Sequence, residues 1–398
     1  MFNANKSKNT PATFVAALFV FLVFIQFFSS CTNKEHNGYS MYEIPDSTMM
    51  DVANKTTHVI HVGNNITNMP SCSQIATIDG KEKYLLLDET NIYIFDWNSG
   101  NIEDSISTKE CGALNNYSGF TYISKDSIVV FNSTEGRLFI INSKGQTLSK
   151  TDIHPNYADP TKSVSTINGL NSCRISLRKE TRPIANGFIL GCMLQAKEYG
   201  KIPVSEEIDM NSGNCKPIVF YPDVYTESNW ATTYMNSVYT AYDQSGNTVY
   251  SFPILNKVLR YNADFTKCDT IIMQSRYDYG IKPCNNSQEQ IEEDESLEKK
   301  YYTSQLSYAD IVFDPYRSLY IRVVEHPIKE WKKKEKFIKP KSFIISDIKG
   351  KVLSETPIVD GSKTMLSSNM HIYEKGLAIG TYNKDENNIY FTCFKINK

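Results

Sequence analysis

Apolar residues recur along this chain in paired short runs. "YLLLDETNIYIFDWNSGNIEDSIS" (84–107) holds one run, a turn, a second run, a tight Asn-Ser-Gly turn and a more polar strand-like piece. The same order returns in 127–153, 187–220, 247–273 and 318–358, the last with an insertion, and begins again in 375–397. One more strand-like piece, such as "SGFTYIS" or "SYADIVF", precedes each copy. The unit is therefore four antiparallel strands, a to d. Strands b and c are apolar on both faces: Ile92 and Ile94 alternate with Tyr93 and Phe95. A strand buried on both faces lies in a sheet flanked by two others. Such units packed face to face around an axis make a β-propeller. The c strands are expected near 91, 137, 201, 257, 341 and 388. Only 286–302 shows a helical period, and "QEQIEEDESLEKK" reads as a short amphipathic helix.

The sixth copy lacks its d strand, and "KTTHVIHV" (55–62) belongs to no copy. If this piece completes the last unit, the two ends of the chain zip the ring, and the expectation is an all-β, six-bladed propeller over 55–398. In that topology the short a–b and c–d turns share one face. The long connections 154–172, 221–231, 275–306 and 327–340 all fall on the opposite face, the top. Insertions gathered on one face of a repeat fold mark a binding face, and neutral loop growth is the competing explanation.

The first residues change the picture of location. Lys6 and Lys8 precede an apolar run from Ala12 to Phe28, then Ser29, Ser30 and Cys31. A basic start, an apolar core and small residues before a cysteine describe an export signal and resemble the lipobox of bacterial lipoproteins. The expected division is a signal peptide over 1–30, lipidation at Cys31, a flexible tether over 31–54, and the propeller over 55–398; an uncleaved N-terminal anchor is the alternative. That places the protein outside the cytoplasm, held to a membrane by its N-terminal lipid, at the outer membrane facing the periplasm or the surface. Without Lys6 and Lys8 the chain keeps 40 basic and 44 acidic residues, close to neutral, which argues against a nucleic-acid partner. The eight other cysteines include no CxxC pair, so no zinc site is expected.

Candidate chemistry is sparse. His58 and His61 fall on opposite faces of a strand and cannot share a metal. HExxH, GxSxG and Gly-rich phosphate loops are missing. "YDQSGN" and "NKDENN" lack calcium-ligand spacing and read as hairpin turns. No catalytic residue, metal or cofactor is assigned. Among the top-face connections, Tyr225, Asn229 and Trp230 combine flat aromatics with an amide, which suits a sugar or peptide; packing between blades is the alternative. Trp331 stands among seven lysines in 327–341. Arg174, Asp310 and His371, together with Tyr117 and Tyr234, start a strands and would line the channel mouth; Arg322 is placed there from the adjacent b strand.

"FDPYRSLYIRVVEHP" (313–327) resembles the Asp-Pro-x-Arg-x-x-Tyr-x-Arg segment of a family of uncharacterised Bacteroidota lipoproteins, a domain of unknown function with a six-bladed TolB-like propeller. The resemblance implies fold and location, and it carries no known activity. The expected function is non-catalytic binding of a glycan, a peptide or an envelope protein through the top-face loops. The alternative is a propeller hydrolase or lyase acting on an extracytoplasmic glycan or peptide, which needs a second carboxylate about 5–10 Å from Asp310.

Overall fold

The computed structural model describes residues 49–63, 72–114, 118–154, 176–178, 182–186, 196–231, 234–328, 339–358 and 369–397. The strands assemble into four-stranded antiparallel sheets in a propeller arrangement. The first sheet holds β2 (Ser73–Ile78), β3 (Lys81–Leu87), β4 (Asn91–Asp96) and β5 (Ile102–Ser107). The second holds β6 (Gly119–Ser124), β7 (Ser127–Asn132), β8 (Arg137–Ile141) and β9 (Thr147–Asp152). The third holds β10 (Ser176–Arg178), β11 (Arg182–Asn186), β12 (Pro203–Ile208) and β13 (Cys215–Phe220). The fourth holds β14 (Tyr239–Tyr242), β15 (Thr248–Ser251), β16 (Lys257–Tyr261) and β17 (Cys268–Ile272). The fifth holds β18 (Ser307–Asp314), β19 (Leu319–Glu325), β20 (Lys341–Asp347) and β21 (Val352–Ile358). Side chains are described over nearly all of these strands except β10 and β11, which are described by backbone alone.

The closing sheet joins the ends of the chain. β1 (Met50–His61) pairs antiparallel with β24 (Asn388–Ile396), which continues through β23 (Gly376–Asn383) to β22 (Met370–Tyr373). The strand that belonged to no repeat therefore supplies the missing fourth strand, and β24 is paired on both edges. β1 starts at Met50 rather than 55, so the expected tether boundary at 54 is too late. A register shift between Asp51 and Thr56 explains why: residues 53–57 are exposed and give no apolar signal.

Alternation along the second strand of each sheet builds the seams. In β3, Leu85 and Leu87 pack with Phe120, Ile128 and Phe139 of the second sheet. Tyr84 and Leu86 point the other way, onto Ile60, Ile389 and Phe391 of the closing sheet. Further apolar seams join the second and third, third and fourth, fourth and fifth, and fifth and closing sheets. Turn glycines allow close approach at the rim: a Cβ on Gly100 (φ +74°) would lie 2.0 Å from the Val59 carbonyl oxygen of β1.

Two expectations change. In the third sheet the partner of β12 is Arg182–Asn186, upstream of the apolar run at 187–195, which lies outside the described residues. The single helix expected near 288–300 is two, Gln288–Glu293 and Ser296–Ser304. Ser287 opens the first with a capping box to Gln290, and extended backbone at Asp294 separates them. The described cysteines form no disulfide.

Candidate functional site

The β11–β12 connection within the third sheet and the connections from the third to the fourth and from the fourth to the fifth sheet pack together into one cap. Its helices are α1 (Ala196–Tyr199), α2 (Val224–Glu227), α3 (Gln288–Glu293) and α4 (Ser296–Ser304). They bury Tyr199, Tyr221, Tyr225, Trp230, Met235, Cys284, Ile291, Tyr301 and Tyr302 in one cluster that continues into the sheets through Tyr250 and Phe252. Tyr225 is fully buried and donates its hydroxyl to the Met235 carbonyl at 2.8 Å. Trp230 is 7% exposed and donates Nε1–H to the Val224 carbonyl at 2.9 Å. Asn229 ties two connections: its Nδ2 donates to the Asn286 carbonyl at 2.8 Å, and its own carbonyl accepts the Cys284 N–H at 2.7 Å. In this conformation these three residues hold the cap together, and a ligand reaching Tyr225 would have to displace core.

A buried polar network fills the seam below the cap, at the connection ends of β18 to β21. Glu325 accepts hydrogen bonds from the Tyr302 hydroxyl and from Ser307 Oγ, and pairs with Lys341 Nζ at 3.0 Å. Burial alone would raise its pKa; the Lys341 and Lys339 ammonium groups reverse this and hold the carboxyl at about 2. Lys339 donates to Ser307 Oγ at 2.7 Å and lies 4.0 Å over the Tyr302 ring. Burial pulls its pKa down to about 7, against the attraction of Glu325. Tyr234, expected at the channel mouth, stacks on Tyr302 with centroids 4.5 Å apart.

Next to this lies a second carboxylate. Glu355 accepts from Ser275 Oγ and Ser342 Oγ, both at 2.7 Å, and from the Arg276 N–H at 2.8 Å. Ser342 donates its one proton there, so His326 Nε2, 2.8 Å from the same Oγ, must carry a proton and donate. Burial lowers the His326 pKa. The Tyr277 and His326 rings meet nearly at right angles with centroids 5.1 Å apart, and Tyr277 and Tyr279 are 39% and 68% exposed. Arg276, Tyr277, Tyr279 and His326 thus form a solvent-facing polar and aromatic edge backed by fixed charges. Sequence reasoning missed it. "SRYDYG" carried the signal of two tyrosines beside an arginine, but nothing in sequence places His326 against them.

The residues assigned to the channel mouth have other roles. Arg322 is fully buried. Its Nε donates to Ser251 Oγ at 2.9 Å, and its terminal nitrogens donate to the carbonyls of Met273, Phe252 and Leu255 at 3.1, 3.2 and 2.7 Å. The guanidinium lies 3.9 Å over the Tyr308 ring, whose hydroxyl donates to Asp278 at 2.6 Å. Arg322 therefore staples the fourth sheet to the fifth, and its placement at the mouth is corrected: a side chain on a second strand points at a neighbouring sheet. His371 Nε2 lies 3.0 Å from Ser73 Oγ and 2.9 Å from Asn369 Oδ1, all three residues being buried where the closing sheet meets the first. A serine nucleophile would need the Asn on Nδ1, leaving Nε2 for the hydroxyl; here both share one nitrogen. Asp310 is 5% exposed and lies at the irregularity between Tyr308 and Ile311. Arg174, Tyr117 and Trp331 lie outside the described residues, as does Cys31.

On the opposite face the turns bind one another. Tyr316 donates its hydroxyl to Glu82 at 2.7 Å, and Glu82 also accepts the Glu374 N–H at 2.7 Å. Arg317 donates to the Ile396 and Glu374 carbonyls, Gln244 to the Pro315 carbonyl, and Lys125 pairs with Asp79. "DPYRS" is thus a clamp spanning the sheets on both sides of the closing one. The histidines of "HVIH" diverge: His58 packs on Trp97 at 4.4 Å, and His61 Nδ1 meets Asn388 Oδ1 at 3.2 Å. "YDQSGN" is a hairpin turn in which Asp243 Oδ1 accepts the Ser245 and Asn247 N–H groups. Among the described residues no metal-ligand cluster occurs, and no helix is long and apolar enough to cross a membrane.

The fold is shared with solved structures. A member of the DUF4221 family from Bacteroides vulgatus ATCC 8482 superposes with a TM-score of 0.66 at 19% identity, over 85% of this chain and 96% of that one. A candidate exported protein from Bacteroides fragilis NCTC 9343 gives 0.51 at 11% identity, over 90% and 98%. No curated protein matches the sequence. Residues 46–356 match the model of the domain of unknown function DUF4221, and the chain belongs to that family.

Proposed function

We propose that this protein is a lipid-anchored envelope propeller whose sheets form six blades of one closed ring, and that it binds a glycan, peptide or envelope protein on its connection face without catalysis. The observation that carries this reading is the asymmetry of the two faces. On one, short turns are tied to one another. On the other, three connections build a packed cap whose edge presents Tyr277, Tyr279, Arg276 and His326 to solvent. The Glu355 carboxylate, held by three donors, fixes that edge before a ligand arrives. Preorganised polar groups beside exposed aromatic faces suit a sugar ring or an extended peptide. The lipobox-like residues up to Cys31 support the anchor, and the export named for the Bacteroides fragilis relative agrees with it. Trp331 and Arg174 belong to the same proposed face by sequence position, as do Asp310 and His371 deeper in the ring.

The test is a glycan array and a pull-down from envelope extract with the chain and a Tyr277→Ala/Tyr279→Ala variant. The reading expects a specific hit that falls at least tenfold in the variant while thermal unfolding is unchanged. A hit of equal strength in both would remove the cap edge from recognition.

A further inference from the structure

The topology fixes where the segment bearing the proposed anchor joins the propeller. β24 runs from Asn388 at the connection face to Ile396 at the turn face, and β1 runs back against it. Met50 pairs with Ile396, and His61 with Asn388. The Asn397 N–H bonds the Met49 carbonyl beside them. The chain therefore enters on the turn side, next to the Arg317 clamp that grips Ile396. The connection end of this pair, at Asn388 and His61, is the far end of the nine-residue β24.

The turn side also carries exposed aliphatic residues on several sheets. Ile102, Ile123, Leu148 and Ile348 are 41–56% exposed at or beside turns, and Tyr316 is 42% exposed. Charge does not oppose a lipid surface there. Lys81, Lys125, Lys144, Lys267, Arg317, Lys349 and Lys375 are interspersed with Asp79, Glu82, Asp126, Asp243, Asp264, Asp314, Asp347 and Glu374. At the cap edge the large exposed apolar side chains are aromatic, Tyr277 and Tyr279; Ile272 ends β17 next to Ile271, which meets Gly350 of the turn that carries Ile348. A shallow array of aliphatic tips among mixed charges suits the boundary between headgroups and acyl chains, where each buried methylene adds a little. The segment preceding Met49 contains the apolar run Ala12–Phe28 and Cys31.

We propose that the turn face lies against the lipid surface, so that the capped face points away from the membrane. This rests on the anchored reading. The test reads the two separately. Full-length protein is reconstituted in phosphatidylethanolamine/phosphatidylglycerol vesicles, with Ile348→Trp, Leu148→Trp and Tyr279→Trp variants compared with the parent. Flotation with the vesicles reports anchoring; a protein that does not float overturns the anchor and with it this orientation. Quenching of the added tryptophan by brominated lipid reports contact. The expected result is at least a twofold excess over the parent for Ile348→Trp and Leu148→Trp, and none for Tyr279→Trp. Excess quenching at position 279, or at none of the three in protein that floats, overturns the orientation. Urea midpoints equal to the parent's show that each variant is folded.

Discussion

Replacing Arg322 by Met tests whether the seam between the fourth and fifth sheets is held by one guanidinium. The side chain makes four hydrogen bonds, one to Ser251 Oγ and three to backbone carbonyls, and lies on the Tyr308 ring. Bonds from a charged donor are each worth about 1.5–3 kcal/mol net. Against them stands the cost of burying a guanidinium, several kcal/mol after relaxation. Met fills the volume and removes that cost, but it leaves the Met273, Phe252 and Leu255 carbonyls without this donor. The Phe252 carbonyl keeps the Leu255 N–H, and each carbonyl left dry costs about 1–3 kcal/mol. The balance is a loss of about 3–5 kcal/mol, the range seen when one partner of a buried charged contact is removed. With a guanidinium slope of about 6 kcal/mol/M, a 4 kcal/mol loss lowers the unfolding midpoint by about 0.7 M. Arg322→Lys should lose nearly as much, because an ammonium cannot fork to carbonyls on both sides. Burial lowers the Arg322 pKa to about 9, so the loss should be flat between pH 6 and 8. A variant within about 1 kcal/mol of the parent would refute the staple.

Other outcomes follow from the same contacts. Glu325 sits at about 2 in the folded chain against an ordinary 4.5. Its contribution, about 3 kcal/mol at about 1.4 kcal/mol per unit, is present above 4.5 and lost as pH falls toward 2. Glu325→Gln should be less stable at pH 7 and should lose that part of the acid slope in urea melts between pH 5 and 2. Gly100→Ala forces a left-handed residue against the β1 backbone, 2.0 Å from the Val59 oxygen. It should cost about 1–3 kcal/mol and speed hydrogen exchange in β1 before the other strands. Deleting residues 1–61 leaves β24 with an open edge, and the product should self-associate on size-exclusion chromatography.

The repeat was legible because a strand flanked on both faces must be apolar on both. Tyr84–Leu87 announce this, and their alternate residues do serve two seams. The closure was legible by elimination, from one strand too few at one end and one too many at the other. What failed was what no single period encodes. Asn54 hydrogen-bonds back to the Asp51 carboxylate in the irregular start of β1, so polar exposed residues hide a strand. The cap joins side chains as far apart as Tyr199 and Tyr302, and alternation within one strand cannot report such contacts. The density of aromatics in "FYPDVYTESNW" was a packing signal, and Tyr225 and Trp230 spend their polar atoms on nearby carbonyls. Arg322 was readable in principle: once β19 is a second strand, its side chains face seams, and only first-strand residues can line the channel.

The central claim is that the two faces meet different partners, and one photocrosslinking measurement addresses it. A benzoylphenylalanine replaces Tyr279 in one full-length protein and Ile348 in another, and each is expressed in cells and irradiated. The account predicts protein or glycan adducts from position 279 and lipid adducts from position 348. Lipid adducts from position 279, with protein adducts confined to position 348, would contradict it.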